Sequence, residues 1–507
     1  MNPFRIQILY FVSLSFLGFG LLKLFNPRTR TDSFHPTNLD LFFTCVSAAT
    51  VSSMSTVEME VFSNPQLILL TLLMFMGGEV FTSMVGLHLR KYKINQNLKK
   101  DHVSDHIVSR KASSIDILEL SVSRKSSSLD ILELSVSRKP SSINILESFQ
   151  NIEIQPQIDT KLLKYNSIRL LSFVVLGYLV FVNLIGIILL LVYISSISSA
   201  RNVLKTKGIN LVTFSFFTVI STFASCGFVP TNENMIVFSK NSGLLLILIP
   251  QVLLGNTLFP CCLRLVVWLL GKMFKKEESN FLLKKSEQIG YLHLLPNLHS
   301  CLLVVTVFGF ILIQFILFSS LEWTSNGLNG LTTYQKFIGI MFQVINTRHT
   351  GETIVDISTI SPAILVLFVV MMYLPPYTSF LPINHNRGAS KRKRGKVLEN
   401  IILSQLSYLV IFIILVCITE RKKMKQDPLN FNVLNIVIEV ISAYGNVGFT
   451  MGYSCARQIQ GNQNCKDKLF GFSGKWSDEG KMILILVMFF GRLKKFNMNG
   501  GKAWILL

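Results

Sequence analysis

The chain has 507 residues, of which 50% are hydrophobic and 15% are charged. Soluble domains carry roughly 25% charged residues, so the composition excludes an ordinary soluble protein and predicts an integral membrane protein. The net charge of +21 does not indicate a nucleic-acid partner, because its basic runs lie beside long apolar segments. The sequence shows no nucleophile–base–acid set and no metal-ligand spacing, and it therefore predicts neither an enzyme nor a cofactor.

Eight apolar segments are predicted to cross the lipid bilayer, whose hydrocarbon core of ~30 Å takes about 20 helical residues. In chain order they are residues 6–25, 66–87, 170–197, 244–270, 301–318, 360–373, 401–418 and 482–491. Basic runs follow the second, fourth, sixth and eighth segments, and one run at 421–425 disagrees with that pattern. Since basic runs stay in the cytoplasm during insertion, both termini are predicted to be cytoplasmic.

A semi-polar loop lies inside each successive pair of apolar segments. The four loops read FFTCVSAATVSSMSTVEMEVFS, FFTVISTFASCGFVPTNENMIVFS, MFQVINTRHTGETIVDIS and VIEVISAYGNVGFTMGYS. Aligning Ser53, Gly227, Gly351 and Gly448 puts Ser47, Ser221, Ile345 and Ser442 six residues earlier. This recurrence predicts four span–loop–span repeats: A (1–90), B (166–275), C (276–385) and D (386–507), with a cytoplasmic linker at 91–165.

The apolar run before each loop has about ten residues, too few to cross the bilayer, and is interpreted as a re-entrant half-helix. Irregular backbone at membrane depth is tolerated where it is buried in protein or lines a water-filled cavity. The C-terminal ends of four such helices around one axis would favour a cation, and loop carbonyls could replace its water shell. Glycine suits this position because it adopts positive φ at little steric cost.

Several longer motifs carry a family resemblance, among them VSSMSTVEMEVFSN, STFASCGFVPTNENM, NTRHTGETIVD and FNVLNIVIEVISAYGNVGFT. Over nearly its whole length the chain resembles the Trk/Ktr/HKT cation transporters, and most closely the plant HKT sodium transporters. The resemblance implies an all-α membrane protein with eight transmembrane helices and four re-entrant pore helices around one central pore. Relatives form homodimers around complete single-chain pores, which leaves a homodimer and a monomer both open for this chain.

The resemblance implies that Ser53, Gly227, Gly351 and Gly448 form a selectivity filter, which binds Na⁺ through its carbonyls alone. Flanking positions are Ser225, Thr350 and Asn446. In the plant family a serine at the first filter position accompanies sodium selectivity, and four glycines accompany potassium permeation as well. Relatives have Asn or Asp where this chain has Ser225. The expected function is passive, channel-like sodium transport across the plasma membrane; the alternative is a Na⁺/K⁺ symporter or a K⁺-permeable transporter.

Ionisable residues within the apolar segments are expensive to bury and are therefore candidate functional groups. Lys481 and Arg492 stand eleven residues apart in the last segment and share one helical face. Arg492 is interpreted as a positive gate below the filter, or else as an ordinary cytoplasmic anchor. Glu439 is the candidate partner of Lys481, while Glu79 in the second segment has no evident partner.

Three further features bear on the pore. Pro375 and Pro376 interrupt the sixth segment, which indicates either a gating loop below the filter or simply the end of the span. Arg348 and His349 are expected to bond the third loop from behind. Acidic residues after the filters either concentrate cations at the outer mouth or only solvate the loops; they are Glu58, Glu60, Glu233, Glu352 and Asp356.

Two features lie outside the pore. The linker repeats VSRKASSIDILELS, VSRKSSSLDILELS and VSRKPSSINILES at a period of fourteen residues. The 108–148 loop is either a kinase substrate through its R-K-x-S-S stretches or a repeat without function. Cys455 and Cys465 lie in a predicted extracellular loop, where an oxidising compartment favours a disulfide.

Overall fold

The computed structural model describes residues 3–28, 36–97, 99, 143–275, 277–375, 377, 405–458, 465, 467 and 471–497. Throughout these ranges the ordered elements are helices, and they contain no β-strand. The predicted all-α fold class is confirmed. In chain order the helices are α1 (Pro3–Leu24), α2 (Asn38–Thr50), α3 (Asn64–Gly77), α4 (Glu79–Asn97), α5 (Ile143–Ser196), α6 (Ser198–Lys207), α7 (Leu211–Phe223), α8 (Ser242–Gly255), α9 (Phe259–Phe274), α10 (Glu277–Lys284), α11 (Ser286–Ile289), α12 (Asn297–Glu322), α13 (Thr333–Asn346), α14 (Pro362–Tyr373), α15 (Gln405–Thr419), α16 (Arg421–Gln426), α17 (Val433–Gly445) and α18 (Asp478–Asn497).

Each of the eight predicted spans overlaps a helix among the described residues. Within the described ranges, three helices are long and apolar enough to cross a bilayer unaided, or up to six if each sharply bent helix pair counts as one span. The second span is α3 and α4, bent by 56°, and the fourth is α8 and α9, bent by 81°. The sixth and seventh, α14 and α15, are shorter apolar helices.

The four predicted half-helices are α2, α7, α13 and α17, with 13, 13, 14 and 13 residues. At 1.5 Å per residue they are about 20 Å long, short of the ~30 Å hydrocarbon core. Each begins at a side chain that accepts a hydrogen bond from the first helical turn: Thr37, Asn210, Thr332 and Asn432. Such N-caps satisfy backbone donors that the helix leaves unpaired, so each half-helix starts at a fixed residue.

The described residues fall into two compact units. One contains residues 1–82, 177–265 and 292–507, and therefore all four half-helices and their loops. The other contains residues 83–176 and 266–291. Within the second unit, Arg90 donates to the Gly290 carbonyl at 3.0 Å, and the Ser83 and Tyr291 hydroxyls are 3.0 Å apart.

The predicted linker differs from the structure at both of its ends. Helix α4 continues to Asn97 and helix α5 begins at Ile143, so residues 143–165 are helical rather than flexible. That stretch contains no glycine and is rich in Leu, Ile, Glu and Gln, most of which are good helix formers. Residues 100–142, which hold the fourteen-residue repeats and most of the predicted kinase site, lie outside the described residues.

Candidate functional site

The four aligned loop positions share a left-handed backbone conformation. Their φ angles are 54° at Ser53, 88° at Gly227, 69° at Gly351 and 102° at Gly448. Glycine adopts this conformation freely, whereas an L-residue such as serine pays roughly 1–2 kcal/mol for it. One backbone turn is therefore repeated in all four loops, including the one that carries a side chain.

Close contacts join these positions in the order A, B, C, D. A Cβ built on Gly227 would lie 1.5 Å from the Thr350 carbonyl oxygen, and one on Gly351 would lie 2.5 Å from that of Val447. A Cβ on Gly448 would lie 2.3 Å from the Cβ of Ser53. Ser53 and Gly227 line the same cavity, and the Asn232 amide donates to Glu60 at 3.1 Å, which joins the loops of repeats A and B. We call Ser53, Gly227, Gly351 and Gly448 the ring positions.

Serine hydroxyls at the ends of two half-helices hold the ring backbone. The Ser221 hydroxyl accepts a hydrogen bond from the Gly227 amide at 3.0 Å, and Ser442 does the same for Gly448 at 3.0 Å. In repeat C, where isoleucine replaces the serine, the Gly351 amide donates instead to the Asn346 carbonyl at 3.1 Å. The serines found six residues before the ring in sequence thus have a structural role in two repeats.

The predicted flanking residues bond to neighbouring parts of the protein. The Ser225 hydroxyl accepts from the Asn256 side chain at 3.0 Å, and the Thr350 hydroxyl donates to the Asn346 side chain. The Asn446 side chain donates to the Ser52 hydroxyl at 2.7 Å. This last bond joins repeats D and A, so flanking side chains fix the loops from behind.

A cavity opens onto the ring. Its lining includes Ser53, Gly227 and Gly448 together with the side chains of Glu233, Asp356 and Thr450. In repeat C the lining comes from Thr353 and Val355, just after Gly351. Within the described part of the chain, no group of three or more His, Cys, Asp or Glu residues could hold a metal ion.

The acidic residues after the loops do not simply face solvent. Glu352 is fully buried and accepts a hydrogen bond from Thr222 at 2.5 Å, so its expected place at the outer mouth is wrong. Asp356 caps a short turn by accepting from the Ser358 amide at 2.9 Å. Glu60 and Glu233 both accept from Lys207, at 2.6 and 2.5 Å. Lys207 was not predicted from the sequence. Its only signal there is its position, since it is a basic residue just before the second half-helix.

Lys481 is paired with a different carboxylate from the one expected. Its ammonium lies 2.9 Å from Asp40 in the first turn of α2, and both side chains are buried. Glu439 instead accepts from the Thr450 hydroxyl and from the Met451 amide at 3.3 Å. The predicted Lys481–Glu439 pair is therefore wrong, because Lys481 stands in the first turn of α18 and Glu439 lies deeper, in the middle of α17.

Arg492 is buried beneath the loops, with 1% of its surface exposed. It donates to the Gly77 carbonyl at the break between α3 and α4, and its guanidinium carbon lies 5.6 Å from the Phe11 ring centroid. The alternative interpretation of Arg492, as an ordinary cytoplasmic anchor, is wrong, because the side chain is enclosed by protein. Its role as a positive gate stays a prediction.

Glu79, for which the sequence offered no partner, belongs to a polar cluster in the same unit. The Tyr377 hydroxyl donates to Glu79 at 3.3 Å, and the His293 ring nitrogen Nδ1 lies 2.8 Å from that hydroxyl. His293 Nδ1 is 3.9 Å from the Glu79 carboxylate. A half-buried carboxylate beside the α3–α4 break is thus bonded to Tyr377, which follows α14 in the chain.

Arg348 and His349 point away from the ring positions, as expected for residues that support the third loop. Arg348 donates to the Pro375 carbonyl, and the His349 ring nitrogen Nε2 lies 2.8 Å from the Thr257 hydroxyl. Helix α14 ends at Tyr373. Pro376, the second proline of the predicted break, lies outside the described residues, so a gating loop there stays a prediction.

A disulfide joins Cys455 and Cys465, with their Cα atoms 5.8 Å apart. It lies in the loop between the fourth ring position and α18. The bond closes part of this loop, and it is separate from the ring contacts described above.

The fold and the ring together define a class. The chain is an all-α, multi-pass membrane protein of four membrane–pore–membrane repeats, in which four short helices deliver backbone turns to one place. It matches the TrkH family, described as cation transport proteins, over residues 155–385 and 382–498.

Two plant relatives that match nearly the whole chain also show the family. The chain is 48% identical to the cation transporter HKT1;3 of Oryza sativa subsp. japonica, across 100% of this chain and 92% of that protein. It is 49% identical to the sodium transporter HKT1 of Arabidopsis thaliana, across 96% and 91%. The crystal structure of the potassium transporter TrkH from Vibrio parahaemolyticus superposes with a TM-score of 0.49 and 14% identity, covering 98% of this chain and 84% of that one. The protein belongs to the TrkH family of cation transporters, among its HKT members, as the sequence motifs predicted.

Proposed function

We propose that this protein is a passive, channel-like sodium transporter, in which Na⁺ crosses the ring of Ser53, Gly227, Gly351 and Gly448. The observation that carries the proposal is the set of close contacts and the shared cavity that bring these four loops together. A ring of turns at the ends of four half-helices offers backbone carbonyls to a dehydrating ion. The Arabidopsis relative, a sodium transporter that is 49% identical to this chain, supports sodium as the ion.

The selectivity proposal rests on Ser53. Its Cβ and hydroxyl occupy the space that faces Gly448, since a Cβ on Gly448 would lie 2.3 Å from one and 2.8 Å from the other. The ring is therefore narrower at Ser53, where the serine hydroxyl adds an oxygen atom that a glycine would not supply. The partial negative charge at the C-terminal ends of α2, α7, α13 and α17 adds a field that favours any small cation.

Membrane currents test the function directly. Expressed in Xenopus oocytes, the protein should carry a current whose reversal potential shifts by about 59 mV per tenfold change in external Na⁺, the slope for a singly charged ion. Replacing Na⁺ by K⁺ should remove most of the inward current. A reversal potential that follows K⁺ equally well would support the symporter or K⁺-permeable alternative instead, and water-injected oocytes supply the background.

Localisation and partners complete the proposal. We infer cytoplasmic termini from the distribution of basic runs along the sequence, and a plasma-membrane location from the family resemblance. Epitope tags at each terminus should be stained only after the cells are permeabilised. We also propose a homodimer, phosphorylation of the 108–148 loop and a gate at Arg492, on the family resemblance and on the sequence. Crosslinking tests the homodimer, and phosphopeptide mapping tests the loop. Currents of the Arg492→Gln variant test the gate.

A further inference from the structure

Lys207 connects the loops that follow two ring positions. It is the last residue of α6, just before the second half-helix, and its ammonium lies 2.6 Å from Glu60 and 2.5 Å from Glu233. Glu60 follows Ser53 by seven residues and Glu233 follows Gly227 by six. One cation is thus shared by two carboxylates from repeats A and B.

The same two loops are also joined by bonds that do not involve the lysine. The Asn232 amide donates to the Glu60 carboxylate at 3.1 Å, and the Glu60 amide donates to the Asn232 side chain at 3.2 Å. The Asn232 side-chain nitrogen donates to Glu58 at 3.2 Å. The loops therefore remain connected without Lys207, and the distinctive contribution of Lys207 is its charge.

Lys207 carries its positive charge, and it lies close to the proposed path of the ion. Burial alone would lower the pKa of Lys207, but hydrogen bonds to Glu233 and Glu60 outweigh burial and raise the pKa. Arg28 is nearby and donates to the Lys207 carbonyl at 3.4 Å. Glu233, whose side chain is 36% exposed, lines the cavity that reaches the ring, while Glu60 and Lys207 are 6% and 17% exposed.

We infer that Lys207 sets the cation-attracting charge of the outer mouth and thereby limits the rate of sodium permeation at low sodium concentration. The inference rests on the proposed conduction path. A cleft lined by one sign of charge raises the local concentration of the opposite ion. With Lys207 in place, Glu60 and Glu233 contribute one net negative charge, and without it they contribute two.

Lys207→Gln tests the inference, with Lys205→Gln as the matched control. Lys205 lies on the same short helix and is exposed. In oocytes bathed at low ionic strength, Lys207→Gln should lower the apparent KM for Na⁺ by about threefold, an electrostatic effect of the expected size. The effect should shrink as N-methyl-D-glucamine chloride is added, because the Debye length falls from about 30 Å at 0.01 M to about 8 Å at 0.15 M.

Charge restoration gives a second, independent readout. Lys207→Gln combined with Glu233→Gln has the same net charge as wild type and should return the apparent KM to the wild-type value, as should Lys207→Arg. An unchanged KM in Lys207→Gln overturns the inference. A salt-independent shift in reversal potential also overturns it, because that would mean Lys207 positions the loops. Absence of sodium current in wild type would instead refute the proposed function.

Discussion

At the scale of single residues, the ring positions differ in what a side chain would meet. At Gly227 the obstacle is backbone, since an added Cβ would lie 1.5 Å from the Thr350 carbonyl oxygen. At Gly448 the nearest obstacle is the side chain of Ser53, 2.3 Å away. Both positions have positive φ, which already disfavours L-residues. The two glycines should therefore tolerate substitution unequally.

Gly227→Ala is expected to abolish sodium current in every background, because the Thr350 backbone cannot move without distorting repeat C. Gly448→Ala should abolish current in wild type and recover part of it when combined with Ser53→Gly, which removes the nearest clash. Current per unit of surface protein, measured by voltage clamp and biotinylation, is the readout. Equal loss in the single and double Gly448 variants would mean that Ser53 is not the obstacle.

The serine hydroxyls behind the ring give a second prediction at this scale. Ser221→Ala removes the acceptor of the Gly227 amide, and a buried donor left unpaired costs about 1–3 kcal/mol. The loosened turn should reduce discrimination between Na⁺ and K⁺ in reversal-potential measurements. Ser215→Ala is the control, since that hydroxyl lies on the same helix and donates to the Leu211 carbonyl of its own helix. Equal effects of the two substitutions would contradict the role of Ser221.

At the scale of elements, the buried pair of Lys481 and Asp40 ties α18 to α2. Removing one partner of a buried ion pair typically costs about 3–5 kcal/mol, because the other charge is left unpaired, whereas removing both costs much less. Lys481→Met and Asp40→Asn should each lower the thermal unfolding temperature in detergent by several degrees. The double variant should be more stable than the sum of the two losses predicts.

The exposed Lys422 on α16 supplies the control for that series. Lys422→Met should leave the unfolding temperature unchanged, because a solvent-exposed lysine contributes little to stability. If the Lys481 and Asp40 effects add without coupling, the two side chains do not stabilise the protein as a pair.

The helices that could be predicted from the sequence are those whose sequence patterns are local. Short apolar runs before small-residue loops identified α2, α7, α13 and α17, and the serine spacing identified the residues that bond the Gly227 and Gly448 amides. Partners far apart in the chain were not predictable. Asp40 and Lys481 are 441 residues apart, and no periodicity in the sequence distinguishes Asp40 from Glu439 as the partner.

The same limit explains the other corrections. Glu352 lies next to Gly351 in sequence, yet its side chain turns behind the loop towards Thr222 of repeat B. Lys207 bonds to a carboxylate of repeat A that is 147 residues away. Whether an acidic residue attracts cations or is neutralised depends on such contacts between repeats, which composition and spacing do not encode.

At the scale of the whole molecule, four turns from distant parts of the chain meet in one ring. Ser53 and Gly448 are contributed by the first and last repeats, and a Cβ built on Gly448 would lie 2.3 Å from the Cβ of Ser53. Because one ring position is a serine and the other three are glycines, the four sides of the ring differ in side chain. We propose that this inequality determines which ion passes.

The reversal potential of Ser53→Gly in mixed Na⁺ and K⁺ solutions tests that claim most directly. Ser325→Gly, a serine-to-glycine change in the loop between α12 and α13, is the matched control. We predict that Ser53→Gly moves the reversal potential towards that of K⁺ while Ser325→Gly keeps the wild-type value. A Ser53→Gly transporter that is expressed at the surface and keeps the wild-type ion preference would contradict the account.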